Sequence, residues 1–230
     1  MKKLFLFLVF FFNFHGFAQD SIPLLKLKSQ IFSLSPIAKN VSHVNGFVLG
    51  VGLYNDRNIV KQKINGFNLE VNPLGLVAPI ILFYALDKNF ETTNLMAEPS
   101  TTLFVVNGIN ISSGGFTSNT QMNGLNISAI TSISRMNGLS ISAFATAVHI
   151  QNGVLVSGIF NYSSQTNGLS VSLINKSSIV NGIQVGMFNN CDNQLRGLQI
   201  GFVNISDKTK GLQLGLLNIN KKRMMPFINF

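Results

Sequence analysis

Beyond the first eighteen residues the side chains best suited to chemistry are few: His43, His149, Cys191 and a thin scatter of carboxylates. A metal centre needs several His, Cys or carboxylate ligands at workable spacing. His149 follows the run AFATAV with no carboxylate or cysteine near it, so it reads as a surface or loop residue. The acids Asp20, Asp56, Glu70, Asp87, Glu91, Glu98, Asp192 and Asp207 form no pair on a shared framework, and no general acid–base couple stands out. Serines are so abundant that none is marked as a nucleophile. Cys191 reads as a buried or loop residue rather than a reactive thiol. The glycine-rich stretch containing Gly50 and Gly52 lacks a following helix pattern and a P-loop lysine, so it reads as strand and not as a phosphate cradle. The pattern points to a non-enzymatic protein, with no catalytic, metal-binding or cofactor-binding residue and no cofactor.

The elements that would carry any function begin after an export signal. Lys2 and Lys3 precede an apolar run over residues 4–14, and Gly16-Phe17-Ala18 places small residues at the −3 and −1 positions of a cleavage site. That is the pattern of a secretory signal peptide over residues 1–18. The expected location is exported: cell envelope, outer-membrane surface or extracellular. An exported chain with a single cysteine has no internal disulfide, so packing must hold it together. The net charge of +9 falls to about +7 without Lys2 and Lys3. Basic residues gather toward the two ends, and no basic stripe is interleaved with aromatics, which argues against nucleic acid as a partner.

Residues 122–142, MNGLNISAITSISRMNGLSIS, say nearly the same thing twice. The phrase recurs at Gly108, Gly124, Gly138, Gly153, Gly168, Gly182, Gly197 and Gly211, at spacings of 14 to 16 residues, with looser copies at Asn45-Gly46 and Asn65-Gly66. Counting each glycine as position 1, positions 2 and 4 are aliphatic in every copy, from Ile109 and Ile111 to Leu212 and Leu214. Positions 3 and 5 between them are small or polar, with Leu155 the exception. Alternation with period two predicts a strand with one buried face. The expectation is that positions 2 and 4 face inward and 3 and 5 outward. Position 7 is large and apolar in most copies (Ile130, Phe144, Ile159, Ile174, Phe188, Val203, Leu217) but has the opposite parity. A bend at positions 5 and 6 would return it to the same interior.

The fold class expected is all-β: a repeat protein of 14–15-residue units, a parallel β-solenoid with capped ends. The alternative is an antiparallel meander or outer-membrane β-barrel, since Asn-Gly is also a strong hairpin signal. The parity break favours the solenoid. So does the poverty in girdle aromatics, with Trp 0 and Tyr 3. One unit alone cannot bury enough surface to fold, so each copy must act as template for the next. The expected organisation is an N-terminal cap region with degenerate repeats over residues 19–102, a regular array over 103–220 and a C-terminal cap over 221–230. Residues 71–86 read as a buried strand or short helix and 87–102 as a surface loop. Pro226 blocks further pairing.

The segment RGLQIGFVNISDKTKGLQLGLLN with the closing PFINF resembles an uncharacterised group of bacterial surface-repeat proteins with G-[LVI]-Q-[IL]-G-x-x-N units behind a signal peptide. The resemblance is sharpest over residues 181–230 and looser over 107–175, where Ser replaces Gly at position 5. It implies an exported, envelope-associated protein and transfers no site residues. The candidate functional surface is an outward polar ladder at positions 3 and 5: Asn126, Ser128, Ser140, Ser142, Ser170, Ser172, Gln184, Gln199 and Gln213. Such a face suits a repetitive partner: a glycan, an envelope surface or another copy of the chain. The expected function is therefore an exported cell-envelope or surface protein with a structural, adhesive or glycan- or surface-binding role. A small outer-membrane barrel acting as pore or anchor is the alternative.

Overall fold

The computed structural model describes residues 27–52, 61–73, 75, 77, 104–115 and 119–230. The signal peptide, residues 1–18, lies outside them, as do the expected loop at 87–102 and most of the apolar run at 71–86. The strands are β1 (Lys28–Ser35), β2 (Val41–Gly50), β3 (Gln62–Glu70), β4 (Phe104–Ser112), β5 (Thr120–Ser157), β6 (Phe160–Val171), β7 (Ile174–Val185), β8 (Phe188–Ile200), β9 (Val203–Thr209), β10 (Leu212–Asn220) and β11 (Met224–Asn229). They make one 11-stranded sheet in sequence order.

Pairing is parallel from β1 to β9. β10 then lies parallel on both β8 and β9. Each copy therefore rests on the one before it, and the chain winds as a β-solenoid of about 10 turns, not a barrel. The Asn-Gly phrase sets the register: Asn45-Gly46, Asn65-Gly66 and Asn107-Gly108 are aligned partners, so the early, irregular copies are coils of the same stack. The glycine is required where backbones meet. Gly168 has φ +136°, and a Cβ there would run into the carbonyl oxygen of Gly153 one coil below. At the far end β11 turns back antiparallel along β10. Its Asn229 donates to Gln213 at 2.9 Å and closes one internal ladder.

The faces are the reverse of those expected. All nine residues assigned to an outer ladder are buried, and Asn126, Ser140, Gln184, Gln199 and Gln213 are 0% exposed. The aliphatic residues of positions 2 and 4 face out. The reason lies in the stacking. A buried amide is costly only while it lacks partners. In-register coils stand about 4.8 Å apart, so an amide in one coil meets its counterpart in the next. Asn68 donates to Asn110 at 2.7 Å, Asn110 to Asn126 at 2.7 Å and Asn126 to Ser140 at 2.9 Å. Further along, Gln199 donates to Gln184 at 2.8 Å and Gln213 to Gln199 at 2.9 Å. A second internal ladder occupies position 8. Asn175, Asn189 and Asn204 each donate to the next asparagine at 2.8 Å and to a backbone carbonyl, of Val185, Ile200 and Leu214, at 2.9 Å.

Hydroxyls fill the middle of the stack: Ser142, Thr146, Ser157 and Asn161 form a continuous internal chain. Apolar packing inside comes chiefly from the residue two before each glycine, position 13 in a 14-residue unit. Val44, Ile64, Val106, Met122 and Met136 share one cluster with Ile133 and Leu155. Val180 and Leu195 form another with Cys191.

Burial thus runs inward at positions 3, 5, 8, 10 and 13, and two or more successive outward residues mark each corner. In the unit opening at Gly168 the corners are Leu173-Ile174, Ser178-Ile179 and Asn181-Gly182-Ile183. The cross-section has three sides. The bend falls one residue later than expected, at 6–7 rather than 5–6, and position 7 points outward: Phe188 is 48% exposed.

Candidate functional site

The outward columns sort by chemistry. Positions 2, 4 and 6 form one side of the solenoid. Column 2 runs through aligned partners Phe32, Phe47, Phe67, Ile109 and Leu125. It continues through Leu139 to Val154, Leu169, Ile183, Leu198 and Leu212. Column 4 runs beside it from Leu34 to Leu214. Column 6 adds Val51, Val71, Leu173, Met187, Phe202 and Leu216, the last two 53% and 63% exposed. Ser113 and Gly158 are the interruptions in column 6, and no charged side chain stands in any of the three. Glu70, at position 5, is buried and accepts a hydrogen bond from Ser35 at 2.9 Å.

Eleven stacked rows make a wall roughly 48 Å long and about 13 Å wide. Its flat area of about 600 Å² reaches the upper end of what monomeric proteins expose as one apolar patch. Toward the C-terminal half it deepens into an open groove of about 750 Å³ between columns 4 and 6, floored by Gly186, Gly201 and Gly215. Position 5 points inward, and a Cβ on Gly186 or Gly201 would meet the internal asparagine ladder at Asn175 or Asn189. Only backbone therefore stands on the outer face between Val185 and Met187, and between Ile200 and Phe202.

The other two sides hold the charges of the array. Asp192 and Asp207 stand at position 11, on the vertex opposite the wall. Each has a lysine: Lys176 at 3.9 Å and Lys221 at 2.6 Å. Arg196 and Lys210 are the last residues of their units, on the rim of the wall, directly before Gly197 and Gly211. Both are exposed, and among the described residues neither makes an ion pair. The rim also carries a third amide ladder. Asn65 donates to Asn45, and the line continues through Asn107, Asn123, Asn137, Asn152 and Asn167 to Asn181 at 2.6–3.0 Å.

The residues singled out for chemistry stay apart. His149 Nδ1 lies 3.0 Å from Ser164 Oγ, and His43 Nδ1 lies 3.0 Å from Ser42 Oγ. Among the described residues neither ring meets a carboxylate that would orient it as a base. Among the described residues no three His, Cys, Asp or Glu side chains come together to hold a metal. Burial pushes the Cys191 thiol up to about 11, the wrong direction for a nucleophile. The polar columns are used up internally, in hydrogen bonds between coils. What remains outward and continuous is the apolar wall, which sequence reasoning placed inside.

Fold and surface together define a parallel β-solenoid, closed at its C-terminal end by β11, with polar ladders inside, one uncharged apolar side and two sides that hold the charges of the array. The chain matches no protein-family model, no curated protein and no solved structure.

Proposed function

We propose that this is an exported, non-enzymatic protein of the bacterial cell envelope or surface: a rigid rod with a structural or adhesive role, attached through its apolar wall. The observation that carries the reading is the wall itself. An uncharged apolar surface of this size is a docking surface, because water alone is a poor neighbour for it. The reading is also supported by the signal-peptide pattern of residues 1–18 and by the resemblance of residues 181–230 to bacterial surface-repeat proteins. Binding of a glycan through an outward polar ladder is not retained, since Gln184, Gln199 and Gln213 are buried and bonded to one another. Attachment falls instead to the apolar columns.

The test is expression of the tagged full chain in an export-competent bacterial host, followed by fractionation and N-terminal sequencing. The expected product begins at Gln19 and sediments with the envelope. A cytoplasmic product that retains Met1 overturns the reading.

A further inference from the structure

The solenoid distributes polarity inside out, and that narrows what can cover the wall. Amides and hydroxyls satisfy one another within, while aliphatic side chains fill a face that carries no charge. A surface set against hydrocarbon must also leave no backbone group unpaired. This one meets the condition between its first and last coils. Its strands pair coil to coil in the plane of the wall, so the N–H and C=O groups run along the face and not out of it. Aliphatic side chains reach about 5 Å beyond the backbone, within the depth of roughly 5–10 Å at which amphipathic elements bury their apolar face in a leaflet.

Charge selects between a bilayer and a second copy of the chain. Arg196 and Lys210 border the wall, and no described carboxylate pairs with either. The carboxylates of the array, Asp192 and Asp207, stand at the far vertex and already hold Lys176 and Lys221. Among the described residues, two chains placed wall to wall would bring no carboxylate to either rim. A phospholipid leaflet supplies both things the face lacks: hydrocarbon against columns 2, 4 and 6, and phosphates beside the rim cations. We propose that the wall lies flat on an anionic phospholipid bilayer, with Leu173, Met187, Phe202 and Leu216 at the acyl boundary and Arg196 and Lys210 at the headgroups. The proposal rests on the envelope reading and names the partner of that same surface.

The chain has Trp 0, so a single introduced tryptophan reports its own surroundings. Purified full-chain Leu173→Trp is mixed with phosphatidylcholine vesicles containing or lacking phosphatidylglycerol, some with brominated acyl chains. Its emission should shift to the blue and be quenched by the brominated lipid. Ser178→Trp, on the opposite vertex, should do neither. Arg196→Gln and Lys210→Gln should each weaken binding to phosphatidylglycerol vesicles about fivefold and leave binding to neutral vesicles nearly unchanged. Val171→Lys with Ile200→Lys should abolish flotation with vesicles while preserving the β-sheet circular dichroism, because both side chains point out of the fold. A Leu173→Trp emission that is the same with and without vesicles overturns the proposal. So does a discrete dimer that the two-lysine variant converts to monomer, with no vesicle binding, which would assign the wall to a second copy. Vesicle binding is read on purified protein and export on fractionated cells, so either claim can fail while the other stands.

Discussion

Gln199 and Ile200 are neighbours in β8 and face opposite ways, so substituting each tests which face is inside. Gln199 is fully buried. Its Nε2 donates to Gln184 Oε1 at 2.8 Å and to the Ile205 carbonyl at 3.2 Å, and its Oε1 accepts from Gln213 Nε2 at 2.9 Å. Gln199→Leu keeps the volume and removes the amide. Gln184 Oε1 loses its donor, and Gln213 Nε2 retains only the longer contact to the Ile219 carbonyl at 3.4 Å. Two buried groups left without good partners cost roughly 2–6 kcal/mol together. For a chain of this size that lowers the melting temperature by roughly 4–24 °C. Ile200 is 39% exposed on the wall. Ile200→Asp should cost about 1 kcal/mol, the span of strand preferences, because its carboxylate stays in water. The assay is thermal unfolding of the full chain without lipid or detergent, followed by β-sheet circular dichroism. A larger loss for Ile200→Asp than for Gln199→Leu would put the aliphatic columns inside and refute the assignment of faces.

Three further outcomes follow from the stack. Gly168→Ala should destabilise the fold by about 2–5 kcal/mol in urea unfolding, because the new methyl meets the Gly153 carbonyl and the backbone holds φ +136°; Ser164→Ala, on an outward position four residues earlier in the chain, should change it little. The Cys191 thiol ionises near 9.0 when unfolded but only at about 11 when buried. Between those values the folded state holds the extra proton, so stability falls as pH rises from 9 to 11 by up to about 3 kcal/mol, and Cys191→Ala should remove that slope. In-frame deletion of residues 168–181 should leave a cooperatively melting rod shorter by about 4.8 Å, seen by small-angle scattering. A chain that tolerates loss of two consecutive units but not of one would contradict parallel stacking.

Much of the architecture was legible in the chain because it is a property of the repeat. The recurring Asn-Gly phrase gives the coil length and the register, and the alternation at positions 2 to 5 gives strand. The parity break at position 7 argues for a bent coil over a straight strand, and the bend indeed falls beside it, at Leu173-Ile174 and its counterparts. Even Asn45 and Asn65, in the irregular N-terminal copies, align with Asn107 as their sequence suggests. The candidate site was not legible in the same way. Its residues were seen, but as core, and the residues taken for surface were the interior. Two columns held the contrary signal. The residue two before each glycine is apolar from Val44 to Met136 and, counted back from the glycine, shares the parity of positions 3 and 5, and asparagine recurs at position 8 from Asn175 to Asn218.

What the sequence determined by itself is a period, an alternation and a set of identical residues one coil apart. It did not determine which face is buried, because a strand's alternation is symmetric when its two faces are exchanged. The usual rule for breaking that symmetry, apolar residues inside, assumes that a buried amide goes without partners. Whether it does is decided one coil away. Gln199 is satisfied inside because Gln184 and Gln213 stand above and below it in register, and that neighbour relation exists only in the stack. The tertiary structure therefore set the sign of the amphipathicity, and with it the apolar wall on which the functional reading rests.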